Sequence, residues 1–276
     1  MSLREETAYL LKHYSLKADT SRGQHWLVDD EVLADIVSVC DPTRDSWVVE
    51  IGCGLGTLTK AMLEKNVQLI GFENDERLAP LLKKLAEVQT DFHLYMKDFL
   101  KVAPAEWLSQ IDGPKYRVAA NIPYYITGSI IEHLMTLPRL PERIVLLMQR
   151  EVAENIVAEK GNYSKQSLAV HFHGRPMISF IVPATAFWPA PEVQSAILVI
   201  DQIHPWEYDV PESEVWRLVT IGFSSRRKKL SNNLAAGLHL EKTAADQLLV
   251  KAGIDPEVRA ERLTPDQWTQ LARSWK

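Results

Sequence analysis

The sequence predicts an α/β protein: a Rossmann-like sheet wound with helices on both faces, followed by a small all-helical C-terminal domain. Three observations carry this. Strand-like and helix-like stretches alternate strictly between residues 48 and 148, the pattern of a parallel sheet with crossover helices. A buried-strand run at residues 48–51 enters three closely spaced glycines, Gly52, Gly54 and Gly56, and then a helical stretch. Beyond a proline-bearing connection at residues 201–211, only helical periodicity remains. The boundary falls in that connection, giving domains of residues 1–203 and 204–276.

The elements follow in order. Leu3, Leu10 and Leu11 among charges mark a short N-terminal helix. The segment Arg22-Gly-Gln-His-Trp-Leu-Val-Asp29 reads as a turn that buries Trp26 and leads to a helix cap at Asp29 or Asp30. Val32, Leu33, Ile36, Val37 and Val39 then keep a helical period until Pro42 closes the element. Past the glycines, residues 57–65 read as a helix, 67–72 as a strand, 75–88 as a helix and 92–96 as a third strand. Residues 116–120 form the fourth strand, 130–135 a helix and 144–148 the fifth strand, with further strand-like runs at 177–182 and 193–200. A polar loop spans residues 159–166. Helices at 212–223, 243–252 and 264–275 complete the chain.

Composition narrows the classes of function. With 46% hydrophobic and 24% charged residues the chain is ordinary globular material. No apolar run approaches the ~18 residues of a membrane span, and the charged N-terminus lacks a signal-peptide core. A cytoplasmic, monomeric protein with no membrane partner is expected. Two cysteines, Cys40 and Cys53, fit no metal spacing, and reduced thiols are expected. His171 and His173 read as decoration of a strand, so no metal site is expected. A net charge of −5 excludes a wholly basic nucleic-acid binder, so any such contact needs a local patch.

The glycine stretch has the spacing Glu50-x-Gly52-x-Gly54-x-Gly56, not the G-x-G-x-x-G that seats a pyrophosphate on a helix N-terminus. The second strand ends in Glu73, about 20 residues on, where a carboxylate meets ribose hydroxyls. The pair suggests an adenosine without a diphosphate. S-adenosylmethionine is such a ligand, and class I methyltransferases carry this glycine pattern; a plain strand-to-helix turn is the alternative. At the third strand end, Asp98 is placed to accept from an adenine amino group and Phe99 to lie against the ring, against the plainer reading of a capping aspartate and a core phenylalanine.

The fourth strand opens into Asn121-Ile-Pro-Tyr124, the reaction-bearing element. An exocyclic adenine amine is a poor nucleophile because its lone pair is delocalised into the ring. The side-chain oxygen of Asn121 and the main-chain carbonyl of Ile122, held by Pro123, would take its two hydrogens and localise that lone pair. Tyr124 would stack on a base that is unpaired or flipped out. Phe187, in the rigid Phe187-Trp-Pro-Ala-Pro191 segment, would close the other face, or simply fill core at a corner between strands. In the last domain Arg226, Arg227, Lys228 and Lys229 are the clearest candidate phosphate patch, with Arg226, Lys229 and Asn233 expected on one helix face and Leu230 and Leu234 on another; a solvated face is the alternative.

With these residues assembled, the chain resembles the rRNA adenine N6-dimethyltransferases, the KsgA family, over most of its length. The matching segments are residues 23–27, 50–56, 98–100, 121–125, 149–153, 187–193 and 223–234. The resemblance implies dimethylation, with S-adenosylmethionine, of two adjacent adenosines near the 3′ end of small-subunit (16S) rRNA in a pre-30S particle. It implies that Gln24, with His25 and Leu27 of the same motif, lies at the methionine end, Glu73 on the ribose and Asp98 on the cofactor adenine, with Gly52, Gly54, Phe99 and Asn121 also expected to contact the cofactor. The chain departs from the family in having His25-Trp26 where Asn-Phe is usual, Ser164 for a glycine, Ile122 for a leucine, and a pI of about 5.9. Rival readings are the erythromycin-resistance methyltransferases, which act on large-subunit rRNA, an assembly factor acting mainly by binding, and, more distantly, a nicotinamide oxidoreductase. The 226–234 motif favours the small-subunit reading.

Overall fold

A computed structural model describes all residues except 21–22, 123–125, 159–160 and 276. Its contacts divide the chain into two compact units, residues 1–153 with 175–203, and residues 154–174 with 204–276. The expected division at 203/204 thus differs in residues 154–174, which pack with the C-terminal helices. The reason is apolar: Tyr163, Leu168 and Phe172 are buried in one cluster with Val215, Leu218, Leu249 and Trp268.

The first unit is built on a seven-stranded sheet. Its strands are β2 (Trp47–Ile51), β3 (Gln68–Phe72), β4 (Phe92–Tyr95), β5 (Tyr116–Asn121), β6 (Arg143–Gln149), β7 (Arg175–Val182) and β9 (Ser195–Asp201), in spatial order β4-β3-β2-β5-β6-β9-β7. The first five run parallel, which bears out the Rossmann-like sheet. The last two, β9 and β7, are antiparallel additions at one edge, so the sheet is mixed. Helices α2 (Asp30–Cys40), α3 (Thr57–Leu63), α4 (Ala79–Val88) and α6 (Thr127–Met135) join the strands. Asp29 caps α2 by accepting from the N–H groups of Glu31 and Val32, satisfying donors that the first turn leaves open. The expected helix at 75–88 starts with a 3₁₀ turn, Glu76–Leu78, and becomes α only from Ala79.

Every residue of β2 is buried, since neighbours lie on both sides and helices above and below. Reversal of the strand order falls between β2 and β5, and it is there that parallel sheets open a crevice at their carboxyl ends. A second, two-stranded ribbon pairs β1 (Trp26–Leu27) with β8 (Phe187–Trp188) in antiparallel fashion, Trp26 opposite Trp188 and Leu27 opposite Phe187. Phe187 therefore belongs to a strand and not to the proline loop after it.

The second unit contains α8 (Lys165–His171), α9 (Glu212–Gly222), α10 (Leu230–Leu238), α11 (Lys242–Lys251) and α12 (Pro265–Trp275). At the end of the expected polar loop Tyr163 is buried and Ser164 caps α8 in a reciprocal pair with Ser167. His171 and His173 are not on a strand. His171 ends α8, and His173 follows it in a turn, bonded to the carbonyl of His204 and the carboxylate of Glu212. Cys40 and Cys53 are buried and unbridged.

Candidate functional site

The strand order puts three carboxyl ends side by side. Gly52 leaves β2, Glu73 leaves β3 and Asn121 ends β5, and the ladder continues into the loops through Gly52 N–H to Phe72 O (2.8 Å), Glu73 N–H to Tyr95 O (3.0 Å) and Ile122 N–H to Leu147 O (3.2 Å). A cavity opens over these ends. Gln24, His25, Leu27, Gly52, Gly54, Glu73, Asp98, Phe99, Asn121, Ile122 and Phe187 all line it. Pro123 and Tyr124 lie outside the described residues. The cations at 226–229 belong to the second unit.

The glycine loop is shaped by backbone angles that favour glycine: φ is +81° at Gly52, +56° at Gly54 and +76° at Gly56. A Cβ on Gly52 would stand 3.6 Å from the carbonyl of Asn121, so the two strand ends approach closely there. Trp26 packs over the loop, its Cδ1 3.8 Å from where a Gly54 Cβ would be. Below the loop Glu50 is 1% exposed and accepts from Thr59 Oγ1 at 2.6 Å. Burial pushes its carboxyl up to about 8.

Glu73 accepts three main-chain N–H groups, from Gly54 (2.8 Å), Asn74 (2.8 Å) and Asp75 (2.9 Å). Burial pushes its carboxyl up while these bonds pull it back. A carboxylate offers about four lone-pair positions, so three donors leave room for a further hydroxyl. Asp98 accepts from Leu100 N–H at 3.1 Å as the cap of a short 3₁₀ turn, and Phe99 is buried edge-on to Phe72. The capping aspartate and core phenylalanine are thus both present, and both also face the cavity. Among the described residues the side-chain amide of Asn121 makes no hydrogen bond, although it stands at the cavity wall.

Gln24 enters a network that its sequence position does not announce. Its Nε2 donates to Asp75 Oδ2 at 2.7 Å, and its Oε1 accepts from Arg77 Nη2 at 3.0 Å and Asp19 N–H at 2.9 Å. Arg77 in turn holds both oxygens of Asp75. The hydrogen bond from Arg77 leads the causes that bring the Asp75 carboxyl down to about 2. Asp75 and Arg77 were not expected at the site; Asp75 two residues past Glu73 is the one local signal, and nothing near Arg77 points 53 residues back. His25 Nδ1 lies 2.7 Å from the carbonyl of Pro189; the carbonyl can only accept, so Nδ1 carries the hydrogen.

The basic segment differs from expectation. Helix α9 stops at Gly222 and α10 begins at Leu230, leaving residues 223–229 as turns in which Arg226, Arg227, Lys228 and Lys229 are exposed. Asn233 does not share a face with them. It is buried and donates to the carbonyls of Gly222 (2.5 Å) and Ser225 (3.1 Å), tying the segment down. Of the four cations, Lys229 pairs with Glu257.

Residues 15–276 match the family model described as ribosomal RNA adenine dimethylase. The chain belongs to that family. A relative from Dehalococcoides mccartyi (strain CBDB1), ribosomal RNA small subunit methyltransferase A, is 40% identical over 272 residues, covering 98% of this chain and 92% of the relative. One of the same description from Lactiplantibacillus plantarum is 36% identical, covering 96% and 92%. Among solved structures, a dimethyladenosine transferase from Plasmodium falciparum superposes with a TM-score of 0.74 at 24% identity over 90% of this chain and 96% of that one. The 23S rRNA methyltransferase ErmE gives 0.69 at 22% identity over 90% and 98%. These two likenesses speak for the fold alone. For this dimethylase-family chain, no group of three or more metal-ligating side chains occurs among the described residues, and no helix there is long and apolar enough to cross a membrane.

Proposed function

We propose that this chain transfers methyl groups from S-adenosylmethionine to N6 of two adjacent adenosines near the 3′ end of small-subunit rRNA, within a pre-30S particle. The observation that carries the reading is the meeting of the Asn121 amide, which has no hydrogen-bond partner among the described residues, with the glycine loop, Glu73 and Phe187 in one cavity. The residues fit the cofactor: Glu73 keeps acceptor capacity for ribose hydroxyls, Gly52 and Gly54 leave the loop open to close approach, and Asp98 and Phe99 bound the adenine end. Gln24, His25 and Leu27 are assigned the methionine end. When bound, S-adenosylmethionine supplies an electrophilic sulfonium methyl.

The protein's own part is to hold and polarise. Asn121 Oδ1 and the carbonyl of Ile122 accept the two hydrogens of the target amine, which favours a pyramidal nitrogen with a localised lone pair. Positive charge develops on that nitrogen during transfer, and preorganised acceptors aimed at it need no reorientation. Tyr124 and Phe187 are assigned the two faces of the base. Phe187 is buried beside Leu27, so its ring is held before a base arrives. The exposed cations at 226–229 are assigned to phosphates.

The test is methyl transfer from labelled S-adenosylmethionine to immature small subunits and, separately, to large-subunit rRNA, with the nucleosides identified. Dimethyladenosine from the small subunit is expected, and Asn121→Ala abolishes it while sparing rRNA binding. Label in large-subunit rRNA alone, or binding without transfer, overturns the reading.

A further inference from the structure

Phe187 and Trp188 are consecutive in β8, so their side chains leave opposite faces of the strand. Phe187 is 2% exposed and lines the cavity, whereas Trp188 is 54% exposed. Of the eight tryptophans, four are buried, Trp206, Trp216 and Trp275 are half-buried, and only Trp188 is exposed. Leaving a large indole in water forgoes the burial that such rings normally supply in a fold.

Trp188 is also held in place. Its strand pairs with Trp26–Leu27, Val28 N–H donates to the carbonyl of Ala186 at 2.8 Å, and His25 Nδ1 donates to the carbonyl of Pro189. The ring is thus displayed from a ribbon pinned on both sides of it, beside a cavity lined by Phe187, His25 and Trp26. A polynucleotide with one base in that cavity continues covalently out of it. Its next nucleotide reaches Trp188 by crossing the ribbon to the face opposite Phe187; the Cα atoms of the two residues are about 3.8 Å apart. An exposed indole face is the surface on which an unpaired base stacks.

We propose that Trp188 is a stacking platform for the unpaired purine base next to the adenosine that occupies the cavity. The inference rests on the reading of the cavity as an rRNA adenosine site. It gives a substrate of two adjacent adenosines a place for the second base while the first is methylated.

The experiment compares the full chain with Trp188→Phe and Trp188→Ala. Methyl transfer to unmethylated small subunits gives KM and kcat. A short single-stranded oligoribonucleotide, carrying 2-aminopurine on one or the other side of the target adenosine, reports stacking by quenching. Trp188→Ala is expected to raise KM for the subunit roughly 5- to 100-fold, the loss of one base–aromatic stack. Its kcat and its affinity for S-adenosylmethionine stay unchanged, Trp188→Phe recovers most of the loss, and quenching on one side disappears with Ala. Unchanged KM and quenching in Trp188→Ala, or a Trp188→Phe protein as impaired as Trp188→Ala, overturns the proposal. Quenching by a wild type that transfers no methyl to the subunit would sink the functional reading and leave the platform standing; neither quenching nor transfer removes both.

Discussion

Thr59 donates a 2.6 Å hydrogen bond from Oγ1 to Oε2 of Glu50, beneath the glycine loop and out of reach of solvent. Burial pushes the Glu50 carboxyl from 4.5 to about 8, so at neutral pH the folded chain holds a proton that the unfolded chain has released. The contribution to stability is therefore complete below about pH 4.5 and is lost as pH rises through about 8. Glu50→Gln keeps the shape and the acceptor but does not titrate. Calorimetric melting of both proteins should show the variant gaining on the wild type with rising pH, by an amount on the order of a few kcal/mol. A difference that stays constant across that range would contradict this account.

Gly71 supports the same loop from β3. A Cβ there would lie 2.5 Å from Cys53 Sγ and 2.6 Å from Phe92 Cε2, both buried. Gly71→Ala should cost about 1–3 kcal/mol in denaturant titrations. Cys53→Ala in the same chain should recover part of that loss and no more, because Phe92 still blocks the site. Full additivity of the two changes would show that the thiol is not the obstacle.

Arg77 does not line the cavity, yet it holds Asp75 and Gln24, which do, together. Arg77→Ala should weaken S-adenosylmethionine binding by roughly tenfold, about 1.4 kcal/mol, in isothermal titration. Arg77→Lys should restore little of it, since a lysine cannot reproduce the two-oxygen grip on Asp75. The Asp75 carboxylate stabilises the fold above its unfolded value of 3.8, and this contribution is lost as pH falls through about 2. In Arg77→Ala the loss should move up toward 3.8, which an acid titration followed by circular dichroism would detect.

The exposed cations at 226–229 should differ in their weight. Lys229 is engaged with Glu257, while Arg226, Arg227 and Lys228 form no ion pair among the described residues. Neutralising any of these three should reduce the slope of log K for rRNA against log salt by about 0.7–1, and Lys229→Ala by less. Asn233→Leu keeps every charge but removes the buried ties to Gly222 and Ser225, costing about 1–3 kcal/mol of stability. Equal slopes for wild type and all four cation variants would remove the phosphate assignment.

Much of the site was legible along the chain because its constraints are local. Positive φ at positions 52, 54 and 56 calls for glycine whatever the neighbours do, and a carboxylate at the end of the next strand can be counted off by residue number. The alternation of apolar runs set the strands and helices of the first unit for the same reason. Arg226 to Lys229 misled because a helical period can be drawn through them. The buried amide of Asn233 instead bonds carbonyls of the preceding turn and delays the helix to Leu230.

By itself, then, the sequence determined the alternating strands and helices of residues 47–149, the glycine loop and which residues could do chemistry, since these follow from backbone angles and side-chain patterns within a few residues. Only the tertiary structure decided that Leu27 faces Phe187, that Arg77 reaches Gln24, that β9 and β7 join antiparallel, and that residues 154–174 pack with the C-terminal helices. Each of these depends on groups far apart in the chain finding shared hydrogen bonds or a shared apolar interior, and no local pattern carries that information.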